Sequence, residues 1–161
     1  MNIAEIKTIL ENSDSQKRLK GIVALKEYAA DIASPLLLSK QDDPAFLVRS
    51  FVAMGLGRKR SDVGFAALLT MMGSDPDANV RAEAANSLAM YGDGAIPHLV
   101  SMFLTNDNWL VRRSILAAMI DLDSPVHMLE ICLSAIGDSD LTVINAGEEH
   151  LSLLAEPDQA S

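Results

Sequence analysis

The sequence predicts an all-α fold, an α-solenoid of about five two-helix repeats. Three observations support this prediction. A turn containing Asp, followed by Val-Arg and small residues, recurs with a period of 31–32 residues. Apolar residues recur at helical spacing on both sides of each turn. Hydrophobic residues make up 49% of the 161 residues but aromatic residues only 4%, which suits closely packed helices better than a sheet.

One arginine position marks the repeat. Four arginines stand 31, 32 and 31 residues apart, at Arg18, Arg49, Arg81 and Arg112, and Ile144 takes the position in the fifth repeat. Valine precedes this position in repeats two to five, and Leu or Met follows it by seven residues in every repeat. A two-helix unit cannot bury its apolar face alone, so stacked neighbours are needed to form a core. We therefore predict one solenoid domain over 1–155 and a flexible tail over 156–161.

Each repeat is predicted to hold a first and a second helix, separated by turns rich in Gly, Asp and Pro. The first helices are, in chain order, IAEIKTIL, IASPLLLSK, VGFAALLTMM, AIPHLVSMFL and VHMLEICLSAI. The second helices are KRLKGIVALKEYA, VRSFVAMGLG, VRAEAANSLAMYG, VRRSILAAMIDL and VINAGEEHLSLLA. In every segment the apolar residues fall three or four apart, which is the spacing of one helix face.

The repeated arginines are predicted to be structural. An Asp in the turn can accept hydrogen bonds from the free amides at the start of the following helix. The arginine lies near that start, within reach of the Asp turn of its own or an adjacent repeat, where it can form a charge-assisted pair. We expect a ladder of such pairs to tie the repeats together, with the carboxylates supplied by Asp43, Asp75 and Asp107.

Charge and cysteine content narrow the class of protein. The formal net charge is -9, so binding to a nucleic-acid backbone is disfavoured. The single cysteine, Cys132, lies in an apolar run and is expected to be a small buried side chain in a reducing compartment. The first residues show no secretory pattern, and no stretch is apolar enough for a membrane span. These features predict a cytoplasmic protein.

No catalytic or metal-binding pattern stands out in the sequence. The three histidines, His98, His127 and His150, are scattered over two repeats, and metal sites need convergent ligands. His127, Cys132 and His150 share the last repeat, but their spacing is not that of a known site. Cys132 among apolar residues is expected to be an unreactive thiol. We therefore predict no catalytic residue, no metal and no cofactor.

A partner is predicted to bind on the concave face, which the second helices of a solenoid line. The positions around each repeat arginine that should face it are Leu19, Lys20, Val23, Ser50, Phe51, Met54, Glu83, Asn86, Arg113 and Glu149. Phe51 and Met54 lie three residues apart and would form one apolar patch, since residues at that spacing share a helix face. The alternative is that local twist turns Phe51 into the core between repeats.

Two further groups are candidate contacts. Trp109 and Phe46 stand at the same position of their repeats, so they would form either an aromatic ridge at the solenoid edge or a hydrophobic staple at the helix start. Arg58, Lys59 and Arg60 form the only dense basic cluster of an acidic chain. They would dock an acidic partner or the propionates of a tetrapyrrole, unless they belong to a solvated loop.

The phrase D-P-x-x-x-V-R-x-x-A-A-x-x-L resembles the short HEAT-like repeats named after phycobilisome lyases. It is clearest over 75–92 and 43–57, and partial over 107–122 and 138–154. The resemblance implies an α-solenoid, and its relatives include bilin lyase subunits, phycobilisome-degradation proteins and non-catalytic adaptors. One branch binds two irons through His-Glu dipeptides, but this sequence has the reverse order at Glu149-His150 and therefore lacks those ligands.

Taken with this resemblance, the sequence predicts a non-catalytic scaffold or adaptor that holds a protein partner on its concave face. The resemblance implies a phycobiliprotein or another photosynthetic protein as that partner. The enzymatic alternative is a bilin (phycocyanobilin) lyase or lyase-like subunit that acts with a second chain and binds a linear tetrapyrrole. A third alternative is a subunit that forms homo- or hetero-oligomers through its ends, where apolar residues remain prominent.

Overall fold

The structure is a computed structural model, and it describes residues 1–122 and 124–155. The predicted tail, 156–161, lies outside the described residues. The described part contains the helices α1 (Ile3–Leu10), α2 (Ser15–Ala24), α3 (Ala30–Leu38), α4 (Phe46–Lys59), α5 (Asp62–Ser74), α6 (Ala78–Ala89), α7 (Ile96–Thr105), α8 (Trp109–Met119), α9 (Pro125–Ile136) and α10 (Leu141–Ala155). Short 3-10 turns cover Leu25–Glu27 and Gly92–Ala95.

The ten helices form five consecutive pairs, which confirms the predicted α-solenoid. The second helices stack in one layer, because α2 contacts α4, α4 contacts α6, α6 contacts α8, and α8 contacts α10. The first helices form the other layer, in which α3 meets α5 and α7 meets α9 over smaller contacts. The second-helix layer is thus the more closely packed, as expected of the inner side of a curved solenoid.

The repeat positions chosen from the sequence supply the core. The valine before the arginine position is at most 1% exposed in each of the four repeats that have it, at Val48, Val80, Val111 and Val143. The residue seven positions after the arginine is equally buried in the first four repeats, at Leu25, Leu56, Leu88 and Met119. Aliphatic side chains in register from repeat to repeat therefore make one continuous core along the second-helix layer.

Several helices begin where a short polar side chain accepts hydrogen bonds from their free amides. Asn2 and Glu5 form a capping box at the start of α1, with Asn2 Oδ1 accepting from the Glu5 amide at 2.9 Å. Asp14, Asp77 and Asn108 cap the second helices α2, α6 and α8 in the same way. These caps fix the turns before Arg18, Arg81 and Arg112, whereas α4, which carries Arg49, begins without a side-chain cap.

One glycine allows the second helices to pack closely. A Cβ atom on Gly57 of α4 would lie 2.7 Å from Ser87 Cβ and 3.0 Å from the Ser87 carbonyl oxygen of α6. Such distances are shorter than side chains tolerate, so only glycine fits at this crossing. The contact sets the spacing between repeats two and three on the inner layer.

The longest described helix, α10, has 15 residues. Within the described ranges, no helix has both the length and the apolar character needed to cross a lipid bilayer.

Candidate partner-binding surface

Arginines at the start of the second helices join neighbouring repeats. Arg18 donates from Nε and Nη2 to the two carboxylate oxygens of Asp43, at 2.7 and 2.8 Å. Arg49 makes the same bidentate pair with Asp75, at 2.9 and 3.1 Å. Each of these four residues is buried, with at most 9% of its surface exposed. Each pair runs from one repeat to the turn of the next, so the ladder connects adjacent repeats and not a repeat with itself.

The remaining guanidinium nitrogen binds the arginine's own turn. Nη1 of Arg18 donates to the carbonyls of Asn12 and Ser13, both at 2.9 Å, and Nη1 of Arg49 donates to the Asp43 carbonyl at 2.8 Å. Asp43 meanwhile accepts from the Ala45 amide at 2.9 Å. One turn thus receives two arginines, its own and that of the previous repeat, and their orientation fixes the angle between repeats.

The third joint differs from the predicted ladder. Asp107 is exposed and is absent from the ion pairs of the described residues. Its neighbour Asn106 stands six residues before Arg112, which is the position of Asp43 before Arg49 and of Asp75 before Arg81. Arg81 accordingly binds only the Asp75 carbonyl, at 2.7 Å. The prediction for Asp107 was wrong by one residue. It chose the nearest aspartate in the turn, whereas the residue six positions before the arginine is Asn106.

The fourth joint again carries an ion pair. Arg112 Nε lies 2.6 Å from Asp138 Oδ2, although Nε is not aligned for a hydrogen bond. Its Nη1 donates to the carbonyls of Phe103 and Asn106, at 2.7 and 3.1 Å. The guanidinium also stacks on the Phe103 ring, 4.1 Å from the ring centroid. Asp138 was not among the carboxylates predicted for the ladder. It stands 26 residues after Arg112, the same separation as from Arg49 to Asp75.

Burial and pairing act in opposite directions on Asp43. Burial raises the pKa of its carboxyl, but the hydrogen bonds from Arg18 and from the Ala45 amide outweigh this and leave the pKa below its ordinary value of 3.8. The hydrogen bond to Asp43 raises the pKa of Arg18 against the opposing effect of burial. Both partners are therefore charged at neutral pH, which is what a structural ladder requires.

The second helices present an open groove of about 490 Å³ that crosses α4, α6 and α8. We call it the second-helix groove, and it is lined by Phe46, Leu47, Ser50, Asn79, Ala82, Glu83, Asn86, Leu110 and Ser114. Four of these were predicted as contacts, namely Phe46, Ser50, Glu83 and Asn86. The sequence analysis missed Leu47 and Leu110. These two residues occupy the same position of their repeats, directly before the valine that recurs in repeats two to five. A comparison of that column between repeats would have found them.

Phe51 and Met54 face a different depression. They line a pocket of about 210 Å³ between the first two repeats, together with Val23, Lys26, Leu37 and Arg58. We call it the N-terminal pocket. Phe51 is half-buried and packs against the core, so both alternatives for this residue hold in part. The predicted single concave patch is therefore two adjoining depressions, because the two sides of α4 face different neighbours.

The three residues of the basic cluster have different surroundings. Arg58 and Lys59 belong to the last turn of α4, and Arg60 caps it with a left-handed backbone at φ 50. Lys59 Nζ donates to the carbonyls of Lys26 and Tyr28, so its charge caps the 3-10 turn after α2. Among the three, Arg58 and Arg60 are exposed. The expectation that all three contact an acidic partner therefore needs correction at Lys59.

Most of the remaining predicted contacts line neither depression. Lys20, Arg113 and Glu149 are exposed on α2, α8 and α10, and Leu19 is half-buried against the core. Trp109 begins α8 with 43% of its surface exposed, and Phe46 begins α4 with 47% exposed. The two aromatic rings thus mark the same edge of α4 and α8, two repeats apart, with α6 between these helices.

Glu83 is the acidic group of the second-helix groove. Burial raises the pKa of its carboxyl, while a hydrogen bond from Ser87 and the charge of Arg58 act in the opposite direction. The Ser87 Oγ donates to Glu83 at 3.4 Å. A half-buried carboxylate beside apolar Leu47 and Leu110 gives the groove a polar centre, where a donor of a partner would be received.

The histidines and the cysteine do not converge on a site. In the described part of the chain, no group of three or more His, Cys, Asp and Glu side chains is arranged to hold a metal ion. His98 is exposed with its ring 5.6 Å from that of Phe65, and His127 is exposed beside Ser124. Cys132 is fully buried, and burial raises the pKa of its thiol.

His150 is buried in the described structure without a hydrogen-bond partner, which the sequence analysis did not predict. It is 8% exposed, and neither ring nitrogen has a hydrogen-bond partner among the described residues. Its position, six residues after the arginine position, holds Gly55, Ser87 and Ala118 in the preceding repeats. It borders a pocket of about 320 Å³ with Met119, Met128 and Leu153. The sequence could have indicated this, because His150 is a large polar residue at a repeat position that otherwise holds small residues.

Comparison with solved structures places the architecture among known folds. The X-ray structure of YibA of Escherichia coli matches with a TM-score of 0.72 and 21% identity, over 99% of this chain and 61% of that one. The complex of CpcE and CpcF of phycocyanin lyase from Nostoc sp. PCC7120 matches with a TM-score of 0.70 and 17% identity, over 98% of this chain and 66% of that one. The chain spans less than two thirds of each, and identities this low show a shared fold.

Comparison with curated protein sequences gives no significant match. A family model for HEAT repeats matches residues 34–120, which is more than half of the chain and covers the repeats with the clearest Asp-Pro and Val-Arg phrases. The paired helices, the stacked second-helix layer and the arginine ladder agree with that match. The chain belongs to the HEAT repeat family.

Proposed function

We propose that the protein is a non-catalytic scaffold that holds a protein partner on its second-helix face. The observation that carries this proposal is the second-helix groove, an open surface with exposed Phe46 and Leu47 on one side and half-buried Leu110 on the other. Exposed aromatic and aliphatic side chains around a polar centre are typical of contact surfaces. Because the repeats are held by buried ion pairs, the surface is already ordered and binding carries little conformational cost.

The candidate partner is a phycobiliprotein or another photosynthetic protein, and the proposed location is the cytoplasm. The support is the fold shared with the complex of CpcE and CpcF of phycocyanin lyase. A second candidate function follows from the same likeness, namely a bilin lyase-like subunit that binds a linear tetrapyrrole with a second chain.

Site-specific photocrosslinking tests the scaffold. A photoreactive amino acid at Asn86, in the groove, should crosslink one defined protein in an extract of the source cell, whereas the same amino acid at Thr70, exposed on α5, should not. Crosslinks of equal pattern and yield from both positions would contradict the proposal.

Purified components separate the two candidate functions. Phycocyanin that co-elutes with the wild type in gel filtration, and elutes separately when Leu47→Asp and Leu110→Asp are combined, would support the scaffold and its partner. A shift of the visible absorption of free phycocyanobilin on mixing with the chain would instead support the lyase-like subunit. Separate elution of phycocyanin from the wild type would reject phycocyanin as the partner.

A further inference from the structure

We propose that the N-terminal pocket binds an acidic segment of the partner by taking one large apolar side chain between Phe51 and Met54 and pairing the flanking carboxylates with Arg58 and Lys26. This inference rests on the proposed scaffold function and names the chemistry that one end of the surface recognises. It concerns the pocket between the first two repeats, which the second-helix groove does not include.

The size of the pocket indicates one side chain. Its volume of about 210 Å³ lies below the range of about 300–1,000 Å³ found for drug-sized ligands. The floor is aliphatic, with Ile22, Leu25 and Leu37 buried beneath the more accessible Val23 and Met54. A single Leu, Met or Phe side chain fits such a depression, and the unbranched Met54 adapts its shape to the occupant.

The charges around the pocket select an acidic segment. Arg58 is exposed at the rim and is absent from the ion pairs of the described residues. Lys26 lines the pocket from the 3-10 turn after α2 and has only an exposed contact of 3.8 Å with Glu27, which contributes little. Both cations are therefore available to carboxylates of a ligand. Lys59, by contrast, is held by backbone carbonyls and supports the wall.

The rest of the molecule makes this basic rim selective. The chain has 22 acidic and 13 basic residues and a net charge of -9, so most of its surface repels an acidic peptide. A local excess of cations beside an apolar depression directs such a peptide to one place and one orientation. Glu83, on which the charge of Arg58 acts, lines the second-helix groove and not the N-terminal pocket.

The experiment uses three fluorescein-labelled nine-residue peptides and the whole chain. The first has a central phenylalanine flanked by glutamates, the second replaces the glutamates by glutamines, and the third replaces the phenylalanine by glycine. Fluorescence anisotropy should show binding of the first peptide, and about tenfold weaker binding of each of the others. Raising the salt concentration should weaken the first peptide more than the second.

Two exposed arginines give a matched pair of variants. Arg58→Glu should weaken the first peptide about tenfold or more, whereas Arg113→Glu, on α8 outside the pocket, should leave it within about twofold of the wild type. Met54→Glu places a carboxylate at the apolar contact and should also abolish binding. Circular dichroism and thermal melting of each variant check that the fold is kept.

Equal affinity for the glutamate and glutamine peptides would overturn the inference, as would equal losses in Arg58→Glu and Arg113→Glu. The two proposals fail separately. If the photocrosslink at Asn86 captures a defined partner but the acidic peptide does not bind, the pocket assignment is wrong and the scaffold stands. If the peptide binds at Arg58 and the groove gives no specific crosslink, the pocket assignment stands and the groove is wrong.

Discussion

At the residue scale, a single arginine such as Arg49 binds two turns through one planar group. Arg49 uses Nε and Nη2 for Asp75 in the next repeat and Nη1 for the Asp43 carbonyl in its own turn. Lysine has no such fork of donors, so it cannot hold both turns in a fixed orientation. The ladder is therefore a geometric device, and its effect on stability depends on both partners being present.

Removing one partner of a buried pair should be costly. We expect Arg49→Ala to lower the free energy of unfolding by about 3–5 kcal/mol, because Asp75 would remain buried with an uncompensated charge. The matched control is Arg113→Ala, where an exposed guanidinium is removed and the change should stay within about 0.5 kcal/mol. Urea unfolding followed by circular dichroism measures both. Equal losses in the two variants would show that the ladder is not a major source of stability.

Acid should remove the contribution of Asp43. Its pKa in the folded state lies below the ordinary value of 3.8. A carboxyl with a lowered pKa stabilises the fold fully above its unfolded pKa and loses that stabilisation as the pH falls through the folded pKa. The stability difference between the wild type and Asp43→Asn should thus be constant from pH 7 to about pH 5 and shrink below about pH 4. Urea titrations at stepped pH measure this difference, and one that stayed constant to pH 2 would contradict the assignment.

At the element scale, the inner layer depends on how closely α4 and α6 approach. Their crossing is formed by Gly57 against Ser87, where an added Cβ would meet backbone as well as side-chain atoms. Backbone atoms cannot rotate away, so strain would spread along both helices. The same spacing positions the second-helix groove, which α4 and α6 line together.

A pair of glycine substitutions separates close packing from helix propensity. Gly57→Ala should destabilise by about 1–3 kcal/mol because of overpacking against Ser87. Gly73→Ala lies in α5, where the nearest atom to an added Cβ is Met102 Cε at 3.7 Å, and should be neutral or stabilise by up to about 1 kcal/mol. Thermal melts compare the two variants. Stabilisation by Gly57→Ala would mean that the helices separate without strain.

At the scale of the whole molecule, stability is expected to be a sum over repeats and the joints between neighbours. Three joints carry an arginine–aspartate pair, and the joint between repeats three and four carries Asn106 opposite Arg81. Asn106 keeps the turn itself, because its Oδ1 accepts from the Asn108 amide at 2.8 Å, as Asp43 and Asp75 do at their turns. Among the described residues, both the charge of the rung and the side-chain hydrogen bonds from Arg81 are missing at this joint.

Restoring that charge should strengthen the array. We expect Asn106→Asp to raise the free energy of unfolding by about 1 kcal/mol or more, through charge-assisted hydrogen bonds from Arg81. Urea unfolding measures the gain, and it should vanish when Asn106→Asp is combined with Arg81→Ala, since the rung then has one member. An equal gain in the presence and absence of Arg81 would assign the effect to something other than the ladder.

The sequence by itself determined the architecture. A period of 31–32 residues, a Val-Arg phrase and a Leu or Met seven positions later predict the helix pairs and the core column from Val48 to Val143. These features are local and repeated, so each copy reinforces the same interpretation. Aromatic residues make up only 4% of the chain, so the composition favoured helices over a sheet.

Only the tertiary structure decided how the surface is divided. Phe51 and Ser50 are adjacent in the chain, yet they line the N-terminal pocket and the second-helix groove respectively, because α4 has α2 on one side and α6 on the other. Lys59 is withdrawn from the basic cluster by carbonyls that lie more than 30 residues away in the sequence. The turn geometry also decides which residue stands at each joint. Asp138 reaches Arg112 of the previous repeat, and Asn106, not Asp107, occupies the corresponding position of its turn. Contacts between distant segments fix these features, and a repeat pattern read within one unit carries no information about them.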